Sequence, residues 1–218
     1  YLTVRRREFD RDAQAIVNAA KEKFGYPYFV KPCNLGSSVG IHKVKNDADA
    51  LIKIKDAFLY DTKILVEQAI NARELECAVL GNDDPQASVI GEIIPHHEFY
   101  SYDAKYIDPN GAELCYPAKN LDQKSIDIIH AMATRAFVAV ECSGMARVDF
   151  FMDKTTGKIY LNELNTIPGF TSISMYPKLW EASGLPYPKL LDRLIELAIE
   201  RYEQRQKIKM TYAGEWNE

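Results

Sequence analysis

Long apolar segments are missing from this chain. No run approaches the ~20 apolar residues that a membrane-spanning helix needs, and no signal-peptide pattern is present. A strong charge of one sign is missing as well, because 27 Lys and Arg oppose 31 Asp and Glu for a formal net charge of −4. This balance argues against a nucleic-acid-binding protein that works by bulk electrostatics. We therefore expect neither a nucleic acid nor a membrane as a partner.

Cysteine is scarce, and its spacing argues against two kinds of site. The four cysteines are widely separated, with no CxxC pair and no Cys/His cluster: Cys33, Cys77, Cys115 and Cys142. A disulfide framework and a zinc site are therefore unexpected. Reduced thiols are the usual state in the cytoplasm, so we expect a cytoplasmic protein.

The composition, with 47% hydrophobic and 27% charged residues and no repeats, indicates a globular chain of one large domain or two lobes. Helices are predicted at 8–24, about 47–60, 126–140 and 187–205, and strands at 28–31, 39–44, 63–67, 75–80 and 88–93. Residues 94–117 have no clean period. This mixture predicts an α+β fold of two lobes, residues 1–70 and 71–218.

A hairpin near the carboxyl end carries the strongest chemical signal. Residues 146–152 and 158–164 read as two strands around a Lys-Thr-Thr-Gly turn. Arg147 and Asp149 lie two residues apart and share a face, as do Glu163 and Asn165. Carboxylate and amide oxygens hold Mg²⁺ against nucleotide phosphates, and an adjacent arginine suits an oxyanion. The alternative is a surface hairpin with scattered charges.

A Gly/Ser loop in the first lobe is the second candidate site. Lys31 ends a strand and leads into Pro-Cys-Asn-Leu-Gly-Ser-Ser-Val-Gly, in which Gly36 and Gly40 permit a tight turn. Ser37 and Ser38 add hydroxyl donors, so the loop can cover a polyphosphate while Lys31 neutralises charge. The Walker A spacing is absent. A simple turn with an exposed lysine is the alternative.

The third candidate is the end of the strand at 63–67. A strand that leaves its sheet here would expose backbone groups of residues 66–70, which can read an adenine edge, and Glu74 a few residues later can bind ribose hydroxyls. A solvated strand end is the alternative explanation for this segment alone.

Five motifs, taken together and in order, closely resemble those of the D-alanine–D-alanine ligases of the ATP-grasp superfamily. They are KPCNLGSSVG, LVEQAINARELE, FYSYDAKY, GMARVDFF and NELNTIPGFTSISMYP, and the resemblance runs over essentially all 218 residues. It implies a cytoplasmic bacterial enzyme that uses ATP to join two D-alanines for peptidoglycan precursor synthesis. In that family the carboxylate of the first D-alanine attacks the γ-phosphate to give an acyl phosphate. The amine of the second D-alanine then displaces phosphate through a tetrahedral intermediate.

The resemblance also implies ligands for metal and nucleotide. It implies coordination of Mg²⁺ (or Mn²⁺) by Asp149, Glu163 and Asn165, which would bridge β- and γ-phosphate oxygens. It implies ATP contacts for a larger group, in which the lysines and Ser38 meet the phosphates, residues 67–70 the adenine and Glu74 the ribose. The whole group is Lys31, Ser38, Glu67, Gln68, Ala69, Ile70, Glu74, Lys105, Phe151 and Asn162.

The resemblance further implies residues that act on the amino acids. Arg147 and the backbone N–H of Gly169 are expected to form the oxyanion site of the tetrahedral intermediate. Ser174 and Met175 are expected to receive the carboxylate of the second D-alanine. A hydrogen-bonded set that closes the active site is expected to include Ser37 and Tyr106. Residues 94–117 correspond to a lid loop that carries Lys105 and Tyr106.

One departure from the family is clear at the start of the chain. The sequence begins at Tyr1, where the ATP-grasp region of the family is already under way. The preceding domain, which supplies a glutamate for the first D-alanine and much of the usual homodimer contact, is missing from the sequence. We expect impaired ligation if these residues are the entire molecule and full activity if they belong to a longer chain.

Two alternative functions stay open. One is a D-alanine–D-serine or D-alanine–D-lactate ligase of the same family, although Tyr106 argues against the D-lactate variants. The other is a non-catalytic nucleotide-binding module or inactive fragment.

Overall fold

Residues 1–96 and 111–209 are described by the computed structural model of the chain. The chain divides into two compact units. The first consists of Tyr1–Asn71 and the described part of Pro95–Glu113, and the second of Ala72–Ile94 and the described part of Leu114–Glu218. The division of the chain into residues 1–70 and 71–218 stays a prediction. The described residues within 95–113, which it assigned to the second lobe, group with the first unit.

The first unit is built on a four-stranded antiparallel sheet. Its order is β1-β4-β2-β3, formed by Leu2–Arg5 (β1), Tyr28–Pro32 (β2), His42–Val44 (β3) and Lys63–Gln68 (β4). Alternate residues of β2 and β4 are buried, as the period of two in Tyr-Phe-Val and Ile-Leu-Val dictates. Three helices complete the unit: Arg6–Arg11 (α1), Ala13–Phe24 (α2) and Asp47–Ala57 (α3).

The structure of the first unit differs from the sequence predictions in three places. The expected helix at 8–24 is two helices, because Asp12 leaves the helical conformation and caps α2 by accepting a hydrogen bond from the Ala15 N–H. The strand expected at 39–44 begins only at His42. Strand β1 carries a weak pattern and was not predicted.

The second unit is built on a five-stranded sheet with the order β7-β6-β5-β8-β9. Its strands are Ala72–Gly81 (β5), Gln86–Pro95 (β6), Ala112–Cys115 (β7), Gly144–Asp153 (β8) and Ile159–Asn165 (β9). Helix α4 (Gln123–Ala139) packs on one face through Ile129, Ala133 and Phe137. Helices α5 (Met175–Ala182) and α6 (Tyr187–Gln206) pack on the other face.

The central strand β5 separates two apolar cores. Leu75, Cys77 and Val79 point into the core under α4, whereas Ala78 and Leu80 point into the core under α5 and α6. At the other end of the α5 and α6 face, the residues of β5, β8 and β9 are charged. Charged residues also lie on the α4 face, where Arg73 pairs with Glu92, so both faces of the sheet are apolar only in part.

The structure of the second unit differs from the sequence predictions in three places. Helix α5 was not predicted. Part of the segment at 94–117 is ordered strand, because β7 occupies Ala112–Cys115. Helix α6 has the predicted length, but its apolar residues are not all buried: Leu190 and Leu197 are fully buried, whereas Leu191 and Ile195 are exposed.

Within the described ranges, no helix has the length and apolar character that crossing a membrane would require.

Candidate active site

The β8–β9 hairpin brings the four predicted polar residues together. Asp149 lies directly opposite Glu163, and Arg147 lies directly opposite Asn165. All four occupy alternate positions on neighbouring strands, so they share one face of the sheet. The predicted hairpin is therefore confirmed, and its polar side chains form a cluster, which we call the hairpin cluster: Arg147, Asp149, Glu163 and Asn165.

Arg147 and Asp149 form the closest pair of the hairpin cluster. The guanidinium donates from Nε to Oδ1 at 2.8 Å and from Nη2 to Oδ2 at 2.8 Å, so the contact is bidentate. Asp149 is buried, at 8% exposure, and Glu163 at the strand edge is exposed. Each carboxylate oxygen accepts more than one donor, so this contact leaves lone pairs of Asp149 for a further interaction.

Glu76 joins this group and was not identified from the sequence. It lies on β5 directly opposite Asp149, and its Oε1 is 3.2 Å from Nε of Arg147. The side chain is buried, with 5% of the residue exposed. The sequence signal that could have identified it is a glutamate between Leu75 and Cys77 in the otherwise apolar run 75–80, because charged residues are seldom buried without a partner.

Electrostatics explains why the guanidinium is stable in this buried position. Burial alone would lower the pKa of Arg147, but the charge and hydrogen bonds of Asp149 and the charges of Glu76 and Glu163 raise it above its usual value. Three carboxylates thus surround one guanidinium. The excess of negative charge makes this end of the sheet a favourable place for a cation.

The segment that follows β9 forms a compact turn. Asn165 Oδ1 accepts a hydrogen bond from the Ile167 N–H at 3.1 Å. A Cβ atom at Gly169 would lie 2.7 Å from Oγ of Ser174, so glycine permits this close approach. Ser174 Oγ also accepts from the Thr171 N–H at 3.0 Å. The structure therefore brings Gly169 close to Ser174.

Ser174 is the residue that precedes helix α5. Met175 is the first residue of the helix and is buried against its apolar core. The Ser174 N–H donates to the Thr171 carbonyl at 3.0 Å. Since the first N–H groups of a helix have no partner within it, the start of α5 offers donors suited to a carboxylate.

Other predicted nucleotide contacts of the second unit lie on the same sheet. Glu74 of β5 pairs directly with Phe151 of β8. The register between β8 and β9 shifts after Asp149, because Phe150 pairs with Leu161. Asn162 is therefore the extra residue of a β-bulge. The bulge changes which residues of β9 face each side of the sheet, starting at Glu163 and Asn165.

In the first unit, two predicted nucleotide contacts meet each other. Lys31 Nζ lies 2.8 Å from Oε2 of Glu67, and both side chains are mostly buried. Gln68 ends β4 and is exposed, and Ala69 and Ile70 follow it in the connection to β5. Lys31 was expected to be open to phosphate and Glu67 to the adenine, so the ion pair is a finding the sequence did not predict.

The Gly/Ser loop has an unexpected backbone. Ser37 and Ser38 have φ values of 56° and 60°, and Gly40 has a φ of 70°. Gly36 does not adopt a positive φ. Left-handed conformations at non-glycine residues are uncommon and are found at functional sites more often than elsewhere. The tight turn therefore centres on the two serines rather than on Gly36.

Asp61 anchors the start of this loop and was not identified from the sequence. Its Oδ2 accepts hydrogen bonds from the backbone N–H groups of Cys33 and Asn34, each at 3.0 Å, and its Oδ1 accepts from the N–H of Lys63 at 3.1 Å. Burial opposes ionisation, but these backbone donors prevail and lower the pKa of the Asp61 carboxyl.

Lys105 and Tyr106 lie outside the described residues, as does most of the predicted lid at 94–117. Their roles stay predictions.

The hairpin cluster fits a hard divalent cation in its donor chemistry. Asp149, Glu163 and Asn165 offer carboxylate and amide oxygens, which are the ligands that Mg²⁺ prefers. In 1–96 and 111–209, no three His, Cys, Asp or Glu side chains converge as a ready-made metal site. A cation bound here would therefore need oxygens from elsewhere, such as the phosphates of a nucleotide, to complete its coordination.

Comparison with known proteins identifies the relatives of this chain. The family described as "D-ala D-ala ligase C-terminus" matches residues 1–196. A D-alanine--D-alanine ligase from Caldicellulosiruptor bescii is 56% identical over 214 residues, and D-alanine--D-alanine ligase A from Bradyrhizobium diazoefficiens is 53% identical over 216 residues. Both alignments cover 98% of this chain and 58% of the relative. The chain thus spans little more than half the length of these curated relatives.

Solved structures agree with the sequence matches. The D-alanine-D-alanine ligase from Coxiella burnetii superposes with a TM-score of 0.80 at 44% identity, covering 94% of this chain and 53% of that one. VanG D-Ala:D-Ser ligase from Enterococcus faecalis superposes with a TM-score of 0.77 at 37% identity, covering 90% of this chain and 55% of that one.

Two antiparallel sheets with helices and these neighbours define an α+β protein of the ATP-grasp class, as predicted. Within that class, the chain belongs to the D-alanine–D-alanine ligase family and matches its carboxy-terminal part.

Proposed function

We propose that the protein carrying this chain joins two D-alanines to D-alanyl-D-alanine at the expense of ATP. The observation that carries the proposal is the hairpin cluster, in which an arginine lies beside two carboxylates and an amide on one sheet face. The reaction is an acyl transfer through an acyl phosphate. A carboxylate oxygen of the first D-alanine bonds to the γ-phosphorus as ADP leaves, and the amine of the second then bonds to the carbonyl carbon as phosphate leaves.

Each residue of the hairpin cluster has a task in this reaction. Asp149, Glu163 and Asn165 would hold Mg²⁺ or Mn²⁺, which when bound neutralises developing phosphate charge. Arg147 supplies a fixed positive charge toward the tetrahedral oxyanion, and its raised pKa keeps it protonated throughout. The N–H of Gly169 adds a neutral donor to the same oxyanion.

The turn before α5 serves the second D-alanine. Ser174 and Met175 stand at the start of that helix, where the first N–H groups have no partner within the helix and favour an anion. The carboxylate of the second D-alanine is the anion we assign to this position.

The first unit would bind the nucleotide. Ser38 and its neighbours in the Gly/Ser loop cover the phosphates, and the strand end at 67–70 meets the adenine. Lys31 neutralises phosphate charge. To do so, it would leave its ion pair with Glu67 and bind a phosphate instead. Lys105, Ser37 and Tyr106 complete the site in this proposal.

An isotope experiment tests the acyl phosphate directly. The protein is incubated with ATP, Mg²⁺ and D-alanine labelled with ¹⁸O in its carboxylate. We expect ADP and D-alanyl-D-alanine in equal amounts, with one ¹⁸O atom carried into each inorganic phosphate released. Dipeptide formed with unlabelled phosphate would contradict the acyl phosphate, and ATP binding without any dipeptide would favour a non-catalytic module.

The second substrate has one alternative supported by an observation. A D-Ala:D-Ser ligase is 37% identical to this chain, so D-serine is the second candidate for the amine nucleophile. Initial rates with D-alanine alone and with D-alanine plus D-serine distinguish them: we expect kcat/KM to favour D-alanine. In the same proposal, the reaction takes place in the cytoplasm of a bacterium, feeds peptidoglycan synthesis and is carried out by a homodimer.

A further inference from the structure

Glu76 is a buried carboxylate to which the proposed reaction assigns no task. It lies on β5, the middle strand of the five-stranded sheet, with a side chain only 6% exposed. Its direct neighbour on β8 is Asp149, and its Oε1 lies 3.2 Å from Nε of Arg147. Two carboxylates from adjacent strands thus contact the same nitrogen of one guanidinium.

Stability alone gives a weak reason for a glutamate here. Removing a carboxylate from water costs several kcal/mol, and apolar residues in place of a buried ion pair are often as stable or more so. The next residue on the same face of β5 is Ala78, which packs in the apolar core under α5 and α6. An apolar residue at position 76 would continue that core.

The two carboxylates differ in their neighbours. Asp149 shares its sheet face with Glu163, which lies directly opposite and is exposed, and with Asn165. Glu76 is one strand further in. If Asp149 binds a cation through its lone pairs, its hydrogen bonds to the guanidinium weaken, whereas Glu76 keeps its contact with Nε.

We propose that Glu76 is a positioning residue that holds Arg147 in place while Asp149 takes part in binding metal and nucleotide. This proposal rests on the proposed function of Arg147 as the oxyanion residue. Glu76 fixes the Nε side of the guanidinium, so that the Nη groups stay directed along the sheet face rather than following Asp149.

The matched control is a second buried glutamate–arginine pair in the same sheet. Arg73 of β5 donates from Nε and Nη2 to Glu92 of β6 at 2.7 Å each, and Glu92 is 8% exposed. This pair is as buried as Glu76 and Arg147, but we assign it no part in the reaction. Glu76→Gln and Glu92→Gln therefore remove the same charge from similar surroundings.

Kinetics give the first readout, measured on the whole protein that carries this chain. In Glu76→Gln, we expect kcat for dipeptide formation to fall roughly 10- to 100-fold, the effect of weakening one charge-assisted contact, with KM for ATP almost unchanged. Glu76→Asp should recover part of the loss, because it restores the charge at a longer distance. Glu92→Gln should lower stability to urea without lowering kcat.

A nuclear magnetic resonance readout keeps the test independent of activity. The Nε–Hε signal of Arg147, assigned by its loss in Arg147→Lys, should stay protected from solvent exchange when Mg·ADP is added to wild type. In Glu76→Gln, the same addition should accelerate its exchange. Protection that is unchanged in Glu76→Gln would overturn the proposal even if the protein proves to be no ligase.

The proposal would also be overturned by an unchanged kcat in Glu76→Gln, or by a fall in kcat equal to that in Glu92→Gln. If wild type forms no dipeptide while the Nε–Hε signal behaves as described, the proposed function fails and the positioning role stands.

Discussion

At the scale of a single residue, Arg147 is a buried side chain whose positive charge is stabilised by its neighbours in the sheet. Carboxylates on β8, β5 and β9 lie near the guanidinium, and these raise its pKa above an already high value. Its protonation therefore does not change between pH 5 and 9. Any pH dependence of the reaction in that range must come from other groups, such as the substrate amine.

Burial has the opposite consequence for Cys77. The thiol is fully buried on β5, and burial raises its pKa to about 12. At pH 8 only about one molecule in ten thousand carries the reactive thiolate. We expect no reaction of Cys77 with a disulfide reagent in the native protein at pH 8, and full reaction after unfolding in urea.

Peptide mapping after labelling is the measurement for Cys77. Cys142, which is half-buried, is the internal control and should react before Cys77 does. Native labelling of Cys77 at a rate like that of Cys142 would show that the core under α4 opens readily.

Tyr106 carries a prediction that comes from the resemblance alone. Its hydroxyl is expected to hydrogen-bond to Ser37 and to favour an amine over a hydroxy acid as nucleophile. In Tyr106→Phe we expect a higher kcat/KM for D-lactate relative to D-alanine, with ATP binding retained, because a hydrogen bond of roughly 0.5–1.5 kcal/mol is lost. An unchanged ratio would leave Tyr106 as a packing residue.

The loop anchor at Asp61 belongs to the scale of structural elements. Its carboxylate ties the start of the Gly/Ser loop to the turn before β4. Its folded-state pKa is lowered, so the ionised form is the one that stabilises the fold. This contribution is fully present above the unfolded pKa of about 4 and is lost as pH falls through the lower folded value.

Asp61→Asn tests this anchor. At pH 7 we expect the variant to be less stable to urea by roughly 1–3 kcal/mol, because an ionised acceptor of backbone donors is replaced by a neutral one. The difference should shrink as pH falls below about 4. A difference that stays constant down to pH 2 would show that the charge of Asp61 is not the cause.

The contact between α5 and β6 gives a second prediction at this scale. A Cβ at Gly91 would lie 2.8 Å from Cδ2 of Leu179 and 3.2 Å from Cε of Met175, both buried in α5. We expect Gly91→Ala to destabilise the protein by roughly 1–3 kcal/mol through overpacking, measured by urea unfolding. Displacement of α5 would also move the turn at Ser174.

Gly36→Ala is the matched control, because nothing lies within 4 Å of a Cβ at Gly36 and its φ is not positive. Its stability should be close to that of wild type. Equal stabilities for both variants would mean that α5 packs less tightly on β6 than these distances require.

The elements differ in how far the sequence could predict them. The β8–β9 hairpin was predictable because its strands alternate and Gly157 supplies the turn. The bulge at Asn162 was not, because register depends on the partner strand. Helix α5 was missed because it is short, with Pro177 in its first turn, and its apolar residues are buried by contacts with β5 and β6.

Side-chain partners were less predictable than elements. The sequence places Arg147 and Asp149 on one face, but that Glu76 shares the guanidinium depends on which strand lies next to β8. The ion pair of Lys31 with Glu67 likewise depends on the pairing of β2 with β4. Predicting contacts between strands that are not consecutive in the chain requires the sheet topology, which a local sequence pattern does not contain.

At the scale of the whole molecule, the chain contains two units, and each carries residues to which the proposed function assigns a task. The first has Lys31, Glu67 and the Gly/Ser loop, and the second has the hairpin cluster with Glu76. The ligases from Caldicellulosiruptor bescii and Bradyrhizobium diazoefficiens are longer, since this chain spans 58% of each. Binding of metal and nucleotide is the part of the proposed reaction to which we assign most of the residues of this chain.

Metal-dependent nucleotide binding is therefore the most direct test of the central claim. We would titrate a non-hydrolysable ATP analogue calorimetrically into wild type and Glu163→Gln, with Mg²⁺ and with EDTA. Glu196→Gln is the control, because it removes the same charge from the exposed surface of α6. We expect Mg²⁺-dependent binding in wild type and Glu196→Gln, and affinity roughly 10- to 100-fold weaker in Glu163→Gln through the loss of one charge-assisted contact. Affinity that is the same with EDTA, or the same in Glu163→Gln as in wild type, would contradict the assignment of the hairpin cluster.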